Sequence, residues 1–486
     1  MKKLQVISYK LQVLAAILFS AVTLSACLND AVGQGVEGFS QTAKDTGKYS
    51  FSLQQAIDFS MKNQTQVQNA GYDEQIAKAK VKETVGIGLP QIGGSISAQD
   101  FIEKPTSIFP DFFTPAVAGI NQAYFGLTPT NPIPPPGPGT AVQFGTQYSS
   151  SAGIDAYQMI FNSDYLVGLQ ASKTFLELSR KVVERTRIDV TVAVTKAYYS
   201  VLLNDERMKL IEANVARLKK LSEDTKTLND NGIVEKIDLD RVTVAYNNLL
   251  VEKEKIQKLF SLGLSLLKFQ MGMDQLASLS LTDKLADIKF APDAAADKFD
   301  YGKRVEYSLM LSQKNISDLQ LKRNKLRYLP SASLFGSASA NAFRNKFDFF
   351  DTKQGWYPTI LVGAKINVGI FDGLQTHYRV QQSKLDILKA ENNLKMAQQG
   401  IDLERAGAKT NLLNASSSLE IQKKNIELAE SIYKTTKSKY EQGVGSNLEV
   451  MNAETSLKEA QTNYFNALYD ALATKVDYDK ANGNIK

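Results

Sequence analysis

The chain has 486 residues, with 57 Lys or Arg, 51 Asp or Glu, one Cys and one His. Its net charge of +6 is spread over interleaved acidic and basic residues, so no concentrated nucleic-acid-binding surface is expected. Single Cys and His residues provide no cluster for a metal, and the sequence contains no phosphate-binding loop or nucleophile–base pattern. We therefore expect no nucleic-acid partner, no metal, no cofactor and no enzymatic activity.

The N-terminus has the pattern of a bacterial secretion signal. A lysine-containing start precedes an apolar stretch that ends at Leu24 and is suited to a signal peptide. Small residues then precede Cys27, with Leu24 three positions before it, and this resembles a lipobox whose cysteine receives lipid. Ordinary cleavage nearby, without lipid, is the alternative. We predict a signal peptide over residues 1–26, lipid on Cys27 and a tether over residues 27–50.

Several features occur twice along the chain. Their positions, given as first and second copy, are Pro90 and Pro330, Phe161 and Phe371, and Gly232 and Gly443. The second and third pairs are each separated by about 210 residues, which indicates an internal duplication. Each copy has the pattern strand, loop, strand, very long helix, turn and helix. The predicted divisions are a first repeat over 51–273, an inter-repeat equatorial segment over 274–300, a second repeat over 301–480 and a tail over 481–486.

Weak alternation of apolar and polar residues marks the candidate strands. They are Pro90–Phe101, Gln143–Ile160, Pro330–Phe343 and Tyr357–Phe371. In the last of them Ile360, Val362 and Ile366 share one parity. Such alternation over about ten residues is typical of membrane β-barrel strands, although a soluble sheet would show the same pattern. Trp356 and Tyr357 are candidates for an aromatic belt at the membrane interface.

Long proline-free segments predict helices in each copy. Apolar residues recur at steps of three, four or seven, as in a coiled-coil seam. Each main helix should have about 65–70 residues and a length on the order of 100 Å. Each should end at a glycine turn, Gly232 or Gly443, after which a shorter helix returns. The helices that lead into the first strand of each copy are predicted over Phe51–Gly86 and Lys303–Arg327.

The order of these motifs along the chain resembles that of the TolC family of bacterial outer-membrane efflux proteins, over about residues 50–480. The segments "LPQI", "LPSAS" and "IFDGLQTHYRVQQSK" carry the resemblance. So does the second hairpin, through Gly443, Glu449, Val450, Ala453, Leu457, Ala460 and Tyr464. The resemblance implies a mainly helical homotrimer whose three copies form a 12-stranded membrane β-barrel, continued by a long α-helical barrel. It also implies contact with outer-membrane lipid and extension into the periplasm.

The family's function would make this chain the outer-membrane exit duct of a tripartite efflux pump. Small molecules would pass through it passively, and an inner-membrane transporter would supply the energy through a periplasmic adaptor. One alternative is the outer-membrane channel of a type I protein secretion system. Another is a trimeric coiled-coil surface stalk, although a stalk would not need paired strands in both copies.

The resemblance also assigns site residues at the helical turns. Acidic residues that ring the pore constriction in the family match Glu449 and Asn452, of which only Glu449 is acidic. Glu449 could instead be a solvated residue favoured by the helix dipole. The expected adaptor-docking turns comprise Gly232, Ile233, Val234, Gly443, Val444, Gly445, Ser446 and Leu448. Gly445 stands where the family has an arginine, so that arginine's salt bridge is not expected here.

Overall fold

The structure is a computed structural model of the chain. It describes residues 47–109, 113–126, 140–285, 299–351 and 353–485. The predicted signal peptide, Cys27 and nearly all of the tether lie outside the described residues. The described residues before Phe51 and residues Asp274–Ser280 form a small unit, and Phe51–Met273 with Leu281–Lys486 form a large one.

The described part of the chain is mostly helical. Its strands are β1 Lys48–Phe51, β2 Gln91–Asp100, β3 Thr106–Phe109, β4 Thr140–Gln143, β5 Tyr148–Phe161, β6 Ser278–Leu281, β7 Ser331–Arg344 and β8 Tyr357–Asn367. Its α-helices are α1 Leu53–Asn63, α2 Thr65–Ile87, α3 Phe113–Phe125, α4 Ser163–Asp230, α5 Lys236–Met271, α6 Val305–Leu326, α7 Gln375–Glu441 and α8 Asn447–Ala481. None of these helices is both long enough and apolar enough to cross a membrane.

The small unit is built on a short sheet of β1 and β6. The Ser278 amide donates to the carbonyl of Gly47 over 3.1 Å, and the Ser280 hydroxyl donates to the carbonyl of Tyr49 over 3.2 Å. The end of the predicted tether thus pairs with the start of the predicted inter-repeat segment. Sequence alternation did not reveal this pairing because each strand has only four residues.

An antiparallel sheet in the large unit has the strand order β2–β5–β7–β8. Apart from a bulge between Met159 and Phe161, its register pairs even-numbered residues with even-numbered residues across all four strands, for example Ile154 with Ala338 and Ala338 with Ile360. Since alternate side chains point to opposite faces, residue parity defines the two faces. The strands β2 and β8 are the edges of this sheet within the chain.

Two strand boundaries differ from the sequence prediction. The second candidate strand begins at Tyr148, because Gln143 belongs to β4 and pairs with Thr106 of β3. The fourth ends at Asn367, before a turn in which Gly373 has a φ of +64°. In that turn the Asp372 carboxylate accepts a hydrogen bond of 2.8 Å from the amide of Thr376, which fixes the start of α7.

The two long helices confirm the length predicted from the seam. Helix α4 has 68 residues and α7 has 67, so each is about 100 Å long. Helix α4 packs along α5 as the first hairpin, and α7 packs along α8 as the second hairpin. In α7 the buried seam positions include Ile401, Ala408, Leu412, Ala415, Ala429 and Tyr433. Tyr433 belongs to an apolar cluster with Val450 and Leu457 of α8.

The helix predicted over Phe51–Gly86 is divided at Gln64 into α1 and α2. The Gln64 side-chain amide donates to the carbonyls of Phe269 and Gln270 at 3.3 Å and 3.2 Å, at the end of α5. Next to them Gly272 adopts a left-handed backbone, with a φ of +68°. The break between α1 and α2 depends on a tertiary contact, because the side chain at the break, Gln64, is bound by the end of α5.

Candidate functional site

The turns of both hairpins are tightly built and expose apolar side chains. Gly232 and Gly443 have φ values of +71° and +77°, which glycine adopts without steric cost. The amides that follow bond back to the helix, from Ile233 to Leu228 over 2.8 Å and from Val444 to Lys439 over 3.0 Å. Ile233 is 69% exposed and Val444 is 75% exposed. Local turn packing therefore does not account for these side chains.

The structure brings the two predicted docking turns together. An open cavity of about 640 Å³ lies between the hairpins. Its lining includes Ile233 and Val234 from the first turn and Gly443 and Gly445 from the second. The Asn447 side chain at the start of α8 donates to the carbonyl of Asp238 in α5 over 3.2 Å, which joins the two turn regions directly.

Glu449 and Asn452 lie on the exposed surface of the first turns of α8. Ser446 caps this helix, and its hydroxyl accepts a hydrogen bond of 3.3 Å from the amide of Glu449. Within the described residues the Glu449 carboxylate makes no ion pair, so its charge is available to the solvent. Because the two positions are three residues apart, they share one face of the helix.

The sheet has one mainly apolar face and one mainly polar face, although the second also carries Phe335, Phe343 and Leu361. Members of the even-numbered face are Ile92, Ile96, Ala152, Ile154, Ala338, Ile360, Val362 and Ile366. Members of the odd-numbered face are Ser95, Ser97, Ser151, Asp155, Ser337, Ser339, Asn341 and Thr359. This division matches a membrane strand whose apolar side chains meet lipid and whose polar side chains meet water.

The two predicted interface aromatics lie differently in this sheet. Trp356 ends the β7–β8 loop, with its ring centroid 6.4 Å from that of Phe349. Tyr357 pairs with Asn341 and therefore belongs to the polar face. The sequence analysis placed these neighbours together, but Trp356 lies in the loop and only Tyr357 belongs to β8.

Comparisons with known proteins agree with this architecture. The sequence model of a family described as outer membrane efflux protein matches residues 320–484. The probable efflux pump outer membrane protein TtgC of Pseudomonas putida is 24% identical over 349 residues, which cover 70% of this chain and 69% of TtgC.

Solved structures share the fold at low sequence identity. The outer membrane protein VceC of Vibrio cholerae has a TM-score of 0.65 and 15% identity, covering 89% of this chain and 96% of VceC. The CmeC outer membrane channel of Campylobacter jejuni has a TM-score of 0.66 and 16% identity, covering 91% of this chain and 90% of CmeC.

These matches support a TolC-family outer-membrane factor. They agree with the resemblance read from the duplicated motifs and the second hairpin.

A polar cluster between the two hairpins was not predicted from the sequence. Arg217 of α4 lies 3.6 Å from the carboxylate of Glu454 in α8, and its guanidinium lies 5.0 Å from the ring centroid of Tyr433 in α7. Arg217 also donates to the side chain of Asn214, which in turn donates to Gln461 of α8 over 3.0 Å. One sequence signal existed, because Glu454 interrupts the apolar seam between Val450 and Leu457.

Burial dominates the electrostatics of this inter-hairpin cluster. Removal from water raises the pKa of the Glu454 carboxyl, while the positive charges of Arg217 and Lys437 oppose this rise. Several buried side-chain atoms near the turns have no hydrogen-bond partner among the described residues: Arg217 Nε, Thr225 Oγ1, Tyr440 Oη, Asn447 Oδ1 and Glu454 Oε2. Unpaired buried polar atoms are costly, so contact between the hairpins is weaker here than in an apolar seam.

Proposed function

We propose that this protein is the outer-membrane exit duct of a tripartite efflux pump and conducts small molecules passively from the periplasm to the outside. One observation carries this proposal: a sheet with an apolar and a polar face is joined in one chain to two very long helical hairpins. The sheet suits a lipid bilayer, and the exposed polar surface of the hairpins suits water. A small globular binding protein would not need such a sheet joined to hairpins of this length.

We propose that the working unit is a homotrimer with one shared 12-stranded barrel. Four strands cannot close a barrel, and among the described residues no strand pairs with the outer edges of β2 and β8. Unpaired backbone groups cannot persist in lipid, where each costs several kcal/mol. Pairing of β8 with β2 of the next copy would satisfy these groups in a closed ring.

Exposed apolar stripes on the helices support the same assembly. On α5 they include Val244, Val251, Leu262 and Phe269, and on α7 they include Met396, Leu403, Ile421 and Leu428. Several of these positions are seven residues apart, which is the spacing of a coiled-coil seam. Because the seam inside each hairpin is already buried, these second stripes fit helices of neighbouring copies.

We also propose that the two halves are structural repeats with the boundaries predicted above. The order β2, β5, α4, α5 in the first half corresponds to β7, β8, α7, α8 in the second. The main difference between the halves is the segment between β2 and β5, which contains β3, α3 and β4. In this proposal that insert lies outside the cell.

The hairpin turns are the proposed docking surface for a periplasmic adaptor, through which an inner-membrane transporter supplies the energy. The exposure of Ile233 and Val444 beside a shared cavity supports an apolar contact there. Glu449 and Asn452 are proposed to line the pore constriction, since they lie exposed on the helix that follows the second turn.

A deletion strain tests the proposed function. Loss of the gene should raise the intracellular accumulation of several drugs, dyes or metal ions from a test panel, and the wild-type gene should restore export. Ile233→Asp with Val444→Asp should leave the trimer intact but abolish restoration, because charges would enter an apolar contact. A strain with unchanged small-molecule accumulation and defective protein secretion would instead support the type I channel. Native mass spectrometry that finds a folded monomer in membrane would contradict the shared barrel.

A further inference from the structure

The loop between β7 and β8 folds back onto the apolar face of the sheet. The ring of Phe347 meets the ring of Tyr148 edge to face, with centroids 5.8 Å apart. Tyr148 pairs directly with Arg344, so both belong to the even-numbered face that carries Ile154 and Ile360. On this face Ala342 and Arg344 are buried. The loop therefore does not lie over the polar face.

Hydrogen bonds hold the described part of this loop, 345–351 and 353–356, in a fixed shape. The Arg344 guanidinium donates to the carbonyl of Gly355 over 3.0 Å and lies 3.5 Å from the Asp348 carboxylate. Gln354 donates to the same carboxylate over 2.6 Å, and the Asp351 amide donates to the Asp348 carbonyl over 3.0 Å. Such a loop presents its side chains without a large ordering cost on binding.

The loop presents aromatic rings outward. Phe349 is buried and packs near two other rings. Its ring centroid lies 5.4 Å from that of Phe347 and 6.4 Å from that of Trp356. Phe350 is 90% exposed and Phe347 is 64% exposed. A hydrogen-bonded loop that exposes two phenylalanines beside a tryptophan is suited to a partner that accepts apolar rings next to polar groups.

The height of the loop on the sheet identifies this partner. The apolar face of β7 runs from Ala332 to Ala342, about 33 Å along the strand. At a strand tilt of about 40° this corresponds to roughly 25 Å, the height of the lipid-facing band of a membrane barrel. The rings follow at the end of this band, where the headgroups of a bilayer meet the acyl chains.

We propose that the β7–β8 loop is a lipid-binding wedge, with Phe347, Phe350 and Trp356 inserted at the headgroup–acyl boundary of the leaflet around the barrel. The wedge rests on the proposed membrane barrel. A second copy of the chain is the other possible occupant of this surface. Phe347 contacts Tyr148 at the start of the central strand β5, whereas a neighbouring copy would join at the edges β2 and β8. Lipid is therefore the occupant that fits.

Trp356 is the single tryptophan of the chain, so its fluorescence reports this loop alone. The full-length protein is reconstituted into phosphatidylcholine vesicles that contain lipids brominated either near the headgroup or near the chain terminus. We expect bromine near the headgroup to reduce the Trp356 emission by about half or more, and bromine at the chain terminus to reduce it less. Iodide in the water should quench weakly. Strong iodide quenching without bromine quenching overturns the wedge, and quenching by neither indicates that a second copy covers the loop.

Three variants in a Trp356→Phe background provide matched controls. Phe350→Trp should be quenched by headgroup-proximal bromine at least as strongly as Trp356, because Phe350 is more exposed. Phe343→Trp lies near the same height on the polar face and should respond to iodide instead. Ile360→Trp lies on the apolar face and should respond most to bromine at the chain terminus. If only Ile360→Trp responds to bromine, the proposed wedge is wrong but the proposed membrane barrel is supported. If Ile360→Trp does not respond to bromine, the proposed membrane barrel itself is wrong.

Discussion

Replacing Arg217 with methionine should loosen the contact between the two helical hairpins of one chain. The methionine keeps most of the apolar stem but removes the positive charge beside Glu454 and the cation above the ring of Tyr433. The Glu454 carboxylate then remains buried, with Lys437 as the remaining positive charge that acts on it.

The size of the effect follows from the exposure of the two side chains. Breaking a fully buried ion pair by removing one partner costs about 3–5 kcal/mol. Here the Arg217 side chain is 30% exposed and that of Glu454 is 10% exposed, so solvent screens part of the interaction. We expect Arg217→Met to cost about 2 kcal/mol in hairpin association. Glu454→Gln removes the buried charge itself and should not weaken association at neutral pH, because no charge then has to be removed from water.

The pH dependence provides a second signature of Glu454. Burial raises the pKa of its carboxyl above the ordinary value of 4.5, so the associated hairpins bind this proton more tightly than separated ones. Association should be strongest below pH 4.5 and should weaken as the pH rises from there through the raised pKa. Above that pKa it should become constant. In Glu454→Gln this dependence should vanish.

Hydrogen exchange of the α8 segment around Glu454 measures this opening in the reconstituted protein. A loss of about 2 kcal/mol corresponds to an exchange rate about 30-fold faster in Arg217→Met. The double variant Arg217→Met with Glu454→Gln should exchange more slowly than Arg217→Met alone, since no unpaired carboxylate remains. Equal exchange in wild type and Arg217→Met would show that the cluster does not hold the hairpins together. Lys424→Met, in an exposed pair with Glu420, is the matched control and should have no effect.

Three further predictions concern other parts of the chain. Cys27→Ser should abolish incorporation of a radiolabelled fatty acid, and a mature N-terminus beyond Cys27 would contradict lipidation. If Glu449 lines the proposed constriction, Glu449→Lys should reverse the cation preference of single channels because it reverses the charge near the pore axis, whereas Glu420→Lys should do little. Unchanged selectivity in an intact trimer would leave Glu449 as a helix-start residue. Gly272→Ala should lower the stability of the large unit in denaturant titration by about 2 kcal/mol, because of its left-handed backbone. In addition, the new Cβ would lie 2.6 Å from the carbonyl oxygen of Asn63. An unchanged midpoint of the denaturant titration would contradict the predicted loss of stability.

The sequence predicted those parts of the fold that depend on periodic patterns. The long helices were predicted because a seam such as Ile401, Ala408 and Leu412 repeats over many turns and contains no proline. The sheet faces were predicted because parity is preserved across nearly all of the register, up to the bulge between Met159 and Phe161. The glycines Gly232 and Gly443 likewise predicted the positions of both hairpin turns.

Features that depend on contacts between distant segments were missed. The break at Gln64 requires the end of α5, about 200 residues away in the sequence. The Arg217–Glu454 cluster joins two hairpins whose relative register is not encoded in either one alone. The fold of the β7–β8 loop depends on Arg344 reaching Gly355 across the loop. Such pairings have no period, so a single sequence does not reveal them.

The open edges of the sheet have a genetic consequence. If three copies must close one ring, a subunit with one damaged edge interrupts the barrel of its two partners as well. In a cell that makes normal and damaged chains equally and mixes them at random, only about one trimer in eight would be free of damaged chains. A proline on the hydrogen-bonding side of β8 should therefore act dominantly and suppress export even when the normal gene is present.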